Sequence, residues 1–379
     1  MTVLFDLINN HQSIVGFVEN FNDSKLFLTY LFSFITALIS SFVLYPTIIY
    51  LSYKKKFYAV PNSRSSHKKK TPTVGGVPLF IGFIISFNLS AIVLNTHIDL
   101  FKTLALITAT FVIFIMGLKD DLAGTRAIYK LFMQIIISFF LIYTTNTQIT
   151  GFDGVLGMYN LGFFSFPITI FLYILIINSI NLIDGIDGLA GSLTLFIALF
   201  FGVYFSINGF VNLALLSFCL SGALISFLFF NFSNKRKIFM GDCGSLFIGL
   251  IIAFLTSSLL DLNKGPEVFL PIKNAPVVLL SLLLYPFLDT LRVFIIRVKN
   301  KKSPLSPDKN HLHHVLLSMG YSHIKSTIII ISFTLMVTLI SLFLVNLDPN
   351  IHIAIIILIV LICLKFLLNL KSKKVKTKA

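Results

Sequence analysis

The stretch Asn181-Leu182-Ile183-Asp184-Gly185-Ile186-Asp187-Gly188-Leu189-Ala190-Gly191-Ser192 separates two long apolar runs, 161–180 and 192–208. A helix needs about 20 apolar residues to cross the hydrocarbon core of a bilayer. The two runs therefore read as membrane spans, and the stretch between them turns the chain at a membrane surface. It holds two carboxylates and three glycines. Asp184 and Asp187 are three apart, so one helical turn or a tight loop presents both to one side. Glycine lets the backbone come close to a ligand. A plain turn at a helix end calls for neither acid.

Similar runs recur along the whole chain. Of the 379 residues, 56% are hydrophobic and 12% charged, and mean hydropathy is +0.92. A soluble chain carries about 25% charged residues. The expected fold is all-α: a polytopic membrane protein with about eleven spans near 27–51, 79–97, 103–119, 130–145, 161–180, 192–208, 211–230, 246–261, 271–294, 326–346 and 351–370. The runs do not alternate, which excludes a β-barrel. One integral-membrane domain spans 1–379, with the motif-bearing part at about 61–314. The first 25 residues lack the pattern of a cleavable signal peptide. Cys219, Cys243 and Cys363 make an odd, scattered set with no disulfide framework.

Counting basic residues orients the chain. With the segments after odd-numbered spans on one side, 26 of the 30 Lys and Arg fall there, leaving Lys25, Lys102, Lys264 and Lys273 opposite. Basic residues accumulate in cytoplasmic loops, so the N-terminus is expected in the periplasm and the C-terminus in the cytoplasm. The net charge of +15 is spread over short loops and reads as topology, so no nucleic-acid partner is expected.

Acids on the basic side are Asp120, Asp121, Asp184, Asp187, Asp242, Asp289 and Asp308, with no Glu. Five of them sit at span ends. Short carboxylates clustered in a basic surround point to a hard divalent cation and an anionic substrate. Mg2+ fits, because it takes a few carboxylates and completes its shell with phosphate oxygens and water; Mn2+ is the alternative.

Each cluster also has a plainer reading. Gly117-Leu118-Lys119-Asp120-Asp121 is an adjacent carboxylate pair that asks for a cation or shifted titration, or a polar helix stop; Arg126 and Lys130 follow it. Asn178 and Asn181 offer paired donors and acceptors to a base, or cap helix ends. Phe239-Met240-Gly241-Asp242-Cys243-Gly244-Ser245 opens a span with free N–H groups suited to phosphate, or is an ordinary cap. Pro307-Asp308-Lys309-Asn310-His311-Leu312-His313-His314 places His311 and His314 together, with His313 facing elsewhere. These histidines would hydrogen-bond or protonate phosphate, bind zinc, or simply line a polar loop. The loop from Pro61 to Gly76 is basic and hydroxyl-rich, which suits anionic headgroups in any membrane protein. Asp289 and Arg292 read as a structural ion pair.

Taken together, Asp120-Asp121, the Asn-Leu-Ile-Asp-Gly-Ile-Asp-Gly run at 181–188, Phe-Met-Gly-Asp-Cys-Gly-Ser at 239–245 and Ser-Pro-Asp-Lys-Asn-His-Leu-His-His at 306–314 resemble the polyprenyl-phosphate N-acetylhexosamine-1-phosphate transferases. The last block is similar to the amino-sugar branch. The resemblance implies that Asp120 meets the lipid phosphate, with Asp121 its partner near the metal. It implies that Asp242 is the principal Mg2+ ligand. Asn181, Asp184 and Asp187 would surround nucleotide and phosphates, Asn231 and Phe239 would lie near uracil, and His311, His313 and His314 near the diphosphate. Lys130 and Arg292 are further transfers of the same kind. The implied partners are undecaprenyl phosphate, UDP-N-acetylhexosamine (N-acetylglucosamine by default) and the bilayer, with a homodimer open. The implied reaction has a lipid phosphate oxygen attack the sugar-bearing phosphorus and release UMP, preferred to a covalent aspartyl route. The competing class is a cation-coupled transporter, whose acids belong near mid-bilayer on broken helices.

Overall fold

The computed structural model describes residues 24–59, 70–94, 99–266, 268–301 and 310–376. The sequence stretch from Pro61 to Lys69, and Asp308, lie outside them. The helices are α1 (Ser24–Lys55), α2 (Gly76–Leu94), α3 (Leu100–Ala123), α4 (Ala127–Thr145), α5 (Ser165–Leu182), α6 (Leu189–Ile207) and α7 (Val211–Asn231), then α8 (Gly241–Leu262), α9 (Ala275–Leu282), α10 (Leu284–Lys299), α11 (Leu312–Ser318), α12 (His323–Phe343) and α13 (Pro349–Lys376). One two-residue antiparallel pair, β1 (Tyr58–Ala59) with β2 (Thr71–Pro72), is the only sheet among the described residues. Among the described residues, ten helices are long and apolar enough to cross a membrane, eleven when the bent pair α9 and α10 counts as one span.

The centre is α8, buried from Cys243 to Leu260. It is apolar on all sides, as a helix must be when no side meets solvent. It packs on α3 and α5, with α2, α6 and α7 behind. Small and hydroxylated residues let these helices approach and bond in an apolar medium. Tyr173 on α5 meets Ser257 on α8 at 2.8 Å, and Thr36 on α1 meets Ser86 on α2 at 2.7 Å. Gly117 on α3 lies against the start of α8; a Cβ there would sit 2.5 Å from the Asp242 carbonyl oxygen and 2.6 Å from Cys243 Cα.

The expected ninth span, 271–294, is not one helix. It breaks at Leu283 into α9 and α10, bent by 72°. Pro286 explains the break: it has no N–H to give, and its ring displaces the carbonyl of Leu282 four residues earlier. On α10, Leu291, Phe294, Ile295 and Val298 are exposed while Asp289, Val293 and Arg297 are buried. That spacing makes α10 a two-faced helix, with an outward apolar stripe and an inward polar side.

Candidate active site

One end of the bundle gathers the ends of several elements that are remote in sequence. The segment before α8 is tied to the start of α2 by backbone hydrogen bonds: Phe239 N to Pro72 O (2.8 Å), Gly75 N to Phe239 O (2.9 Å) and Gly76 N to Met240 O (2.8 Å). α8 then begins at Gly241, whose φ of +74° suits glycine.

Asp121 ends α3 beside this point. Its carboxylate accepts from Asp242 N (2.8 Å) and Cys243 N (2.9 Å), so it caps α8 from another helix. One expectation changes here. The N–H groups of Asp242 and Cys243, opening α8, serve a carboxylate of the protein rather than standing free for phosphate. Asp121 thereby anchors α8, with one hydrogen bond on each oxygen.

Asp120 faces the other way. Its Oδ1 accepts from Thr125 N (2.6 Å) and Thr125 Oγ1 (2.5 Å), and its Oδ2 from Lys130 Nζ (2.6 Å). The same Lys130 Nζ lies 2.6 Å from Asp242 Oδ2, bridging two carboxylates from α3 and α8. Asp242 Oδ1 accepts from Asn181 Nδ2 (2.9 Å), which also reaches Ser245 Oγ (2.8 Å). The run from Asn181 to Gly188 thus meets Asp242. Asp184 is half-buried, and the Gly241 N–H donates to it. Burial, with the Asp242 and Asp121 carboxylates nearby, pushes the Asp184 carboxyl up to about 7. No ion pair among the described residues reaches it.

Asp187 is the opposite case. Its Oδ2 lies 2.5 Å from Lys237 Nζ and 2.9 Å from His323 Nδ1. Burial works to raise its titration, but the hydrogen bonds from His323 and Lys237 outweigh it and hold the carboxyl below its ordinary value. His323 opens α12 and is 136 residues from Asp187 in sequence. Sequence reasoning missed it, because a single histidine after Ser322 carries no motif. Thr125, Lys237 and Ser245 gained their roles only here as well.

Two residues are expected near uracil. Asn231 is 3% exposed; its Oδ1 accepts from Gly188 N (2.6 Å) and its Nδ2 donates to Ile238 O (2.7 Å). It staples the acidic loop to the segment before α8. Phe239 is half-buried, with Lys237 Nζ 5.6 Å from its ring centroid. Asn178 bonds Gln134 inside the bundle at 2.7 Å.

The histidines close the site. His311, His313 and His314 all gather, with ring centroids 4.4–6.2 Å apart, so His313 does not face elsewhere. His313 Nε2 is buried and lies against Gly185, in the space a Cβ there would fill. The glycine between the two acids therefore makes room for the imidazole. Burial pushes His313 down to about 3, which favours the neutral ring. Arg292 donates from Nη1 to Asn310 O, and Asp289 bonds His311 and the Leu312 N–H. The expected pairing of Asp289 with Arg292 gives way to these two separate anchors.

The site thus offers hard oxygen donors in Asp120, Asp184 and Asp242, an ammonium between two of them, and neutral imidazole close by. That is a donor set for a hard cation and for phosphate oxygens. The chain is also similar to known proteins. The family model described as Glycosyl transferase family 4 matches residues 103–259. A probable undecaprenyl-phosphate N-acetylglucosaminyl 1-phosphate transferase of Bacillus subtilis (strain 168) is 32% identical over 300 residues, covering 79% of this chain and 80% of that protein. A decaprenyl-phosphate N-acetylglucosaminephosphotransferase of Mycolicibacterium smegmatis is 33% identical over 298 residues, covering 72% and 71%. An undecaprenyl-phosphate alpha-N-acetylglucosaminyl 1-phosphate transferase of Escherichia coli O157:H7 is 28% identical over 304 residues, covering 78% and 79%.

Proposed function

The chain belongs to glycosyl transferase family 4, and from that premise we propose that it transfers N-acetylglucosamine-1-phosphate from UDP-N-acetylglucosamine to undecaprenyl phosphate, releasing UMP. The carrying observation is Lys130 held 2.6 Å from both Asp120 and Asp242, at the end of a membrane bundle where Asp184 stands without a cationic partner among the described residues.

Both reactants are anions, so the site must offset their repulsion while holding them in line. A lipid phosphate oxygen attacks the sugar-bearing phosphorus, and the bond to UMP breaks with its electron pair leaving on the UMP oxygen. The lipid phosphate is largely ionised at neutral pH, since a phosphomonoester's second pKa is about 6, so no strong base is required. Lys130 is positioned to meet phosphate charge, oriented by the two carboxylates that grip it. Asp120 has both oxygens engaged by Thr125 and Lys130, which supports direct attack over a covalent aspartyl intermediate. Lys237 and His323 keep Asp187 charged and fixed.

The donor set fits Mg2+, with Mn2+ the alternative. Asp242 would hold it, with Asp184 beside it and Asp121, which anchors α8, next to both. When bound, the ion neutralises charge on the diphosphate and on the departing UMP. The apolar stripe on α10, at the same end of the bundle, suits a lipid substrate arriving sideways from the bilayer. The basic excess on this side supports a cytoplasmic site in a bacterial inner membrane. Carboxylates at the bundle's end, rather than at mid-span, speak against a transporter.

The test is UMP release by purified protein given undecaprenyl phosphate and UDP-N-acetylglucosamine, with Mg2+ or with EDTA. Release that needs both lipid and metal is expected, and Asp242→Asn should lower it about 100-fold or more in protein that remains inserted and folded. Release with another UDP-amino sugar alone would change the donor and keep the chemistry. Silence with every UDP-sugar from folded protein would sink the reading.

A further inference from the structure

Asp289 has no part in the reaction above, yet it is fully buried, 0% exposed, on α10. An ionised carboxylate in such a place is costly unless its oxygens are bonded. Here each oxygen has a defined partner. Oδ2 lies 2.7 Å from His311 Nδ1, and Oδ1 accepts from Leu312 N, in the first turn of α11, at 2.6 Å. We propose that Asp289 is a positioning residue: it fixes the tautomer and attitude of His311 and, by capping α11, sets the histidine cluster against the acidic loop.

The argument is stereochemical. A carboxylate oxygen can only accept, so the nitrogen facing it carries the proton: His311 is an Nδ1–H imidazole. Its Nε2 is then the atom through which the ring meets any partner other than Asp289, as an acceptor when neutral and a donor when protonated. The His311 ring stacks on His313 with centroids 5.3 Å apart and planes 16° off parallel. His313 in turn lies against Gly185, between Asp184 and Asp187. The attitude of His311 is thereby transmitted to the loop that carries the site's acids. Arg292, three residues after Asp289 on α10, holds the carbonyl of Asn310 just before the cluster. One helix thus pins the entry to α11 at two points. Both residues lie on α10, beyond the 72° bend that follows α9.

The ligand atoms of Asp289, His311 and His313 also lie within 4.8 Å of one another, close enough for a metal. Hydrogen bonds of 2.6 and 2.7 Å on the two carboxylate oxygens identify the group instead as a bonded dyad with a helix cap.

The catalytic consequence rests on the proposed transferase reading, and the test keeps the two apart. In the full-length protein, nitrogen NMR of labelled histidines, with His311 identified by its loss in His311→Gln, should show Nδ1–H in the wild type. Asp289→Asn keeps the size but can turn an amide N–H toward the ring, moving the proton to Nε2. In the UMP-release assay this variant should lose about 10- to 100-fold in kcat, with KM for the UDP-sugar changed less than about twofold. The double variant Asp289→Asn/His311→Gln should be no slower than His311→Gln alone, because one residue acts through the other. Losses that multiply in the double variant would overturn the proposal. So would an Nε2–H tautomer in the wild type, or stoichiometric zinc in the purified protein. If no UDP-sugar yields UMP, the function reading fails, and the wild-type tautomer still decides the dyad. That measurement needs no variant, so it also stands if Asp289→Asn does not fold.

Discussion

Lys130 shows how one side chain can make an acidic site stable before any ligand arrives. Without its ammonium, the Asp120 and Asp242 carboxylates would face each other at low dielectric. Asp184 is the acid left without such help, and its titration reflects that: about 7, raised by burial and by its acidic neighbours. The sign follows from linkage. The folded state holds this proton more tightly than the unfolded chain, whose Asp titrates near about 3.9. Its contribution to stability is therefore complete below pH ~4 and is lost as pH rises through about 7. In metal-free protein, the melting temperature of the wild type should fall relative to Asp184→Asn over that window. A constant difference between the two curves would mean that Asp184 is ionised throughout. His313 behaves in the reverse sense. Its depressed value keeps it neutral, so its contribution is present above pH ~6.5 and is lost as pH falls toward about 3.

At the scale of elements, the site depends on two helices meeting closely and on one helix being broken. α3 reaches α8 only because Gly117 has no side chain, and that approach lets Asp121 cap α8. A methyl at position 117 would lie inside van der Waals contact with three backbone atoms. None can yield without moving a buried helix. Gly117→Ala should cost about 1–3 kcal/mol, read as a lower melting temperature, and should lower UMP release as Asp121 parts from α8. Wild-type values for both would show that α3 and α8 have slack. The break at Leu283 works differently. It converts an apolar run into a buried α9 and a two-faced α10, and so supplies Asp289 and Arg292 to the site from a segment that reads as one span.

For the whole molecule, the organisation is a bundle around a buried α8, with all the candidate chemistry at one end. The opposite end holds structural pairs, such as Asp153 with Lys264 at 3.7 Å and Asn350 Oδ1 with the Leu156 N–H at 2.7 Å. The basic residues gather on the site's side, and this predicts orientation. A reporter fused after the last helix should be active in the cytoplasm, and one placed in the loop between α8 and α9 should be active outside. The reverse pattern would put the site on the wrong side of the membrane for a UDP-sugar.

The sequence by itself determined the number of spans, the alternation that brings their polar ends to one face, and most of the acids and histidines there. Hydropathy and residue type are local properties, and a bilayer converts them directly into helices of set length. The partners were decided only by tertiary structure. Asp121 caps α8 from another helix, Asn231 staples the acidic loop, and His323, unremarked in the sequence, is the partner of Asp187. Asp289 exchanged Arg292, one helical turn away, for a histidine beyond the end of its helix. Each of these depends on which of several competing donors lies within about 3 Å. That distance is set by how helices remote in sequence pack, and by a bend, neither of which a local pattern encodes.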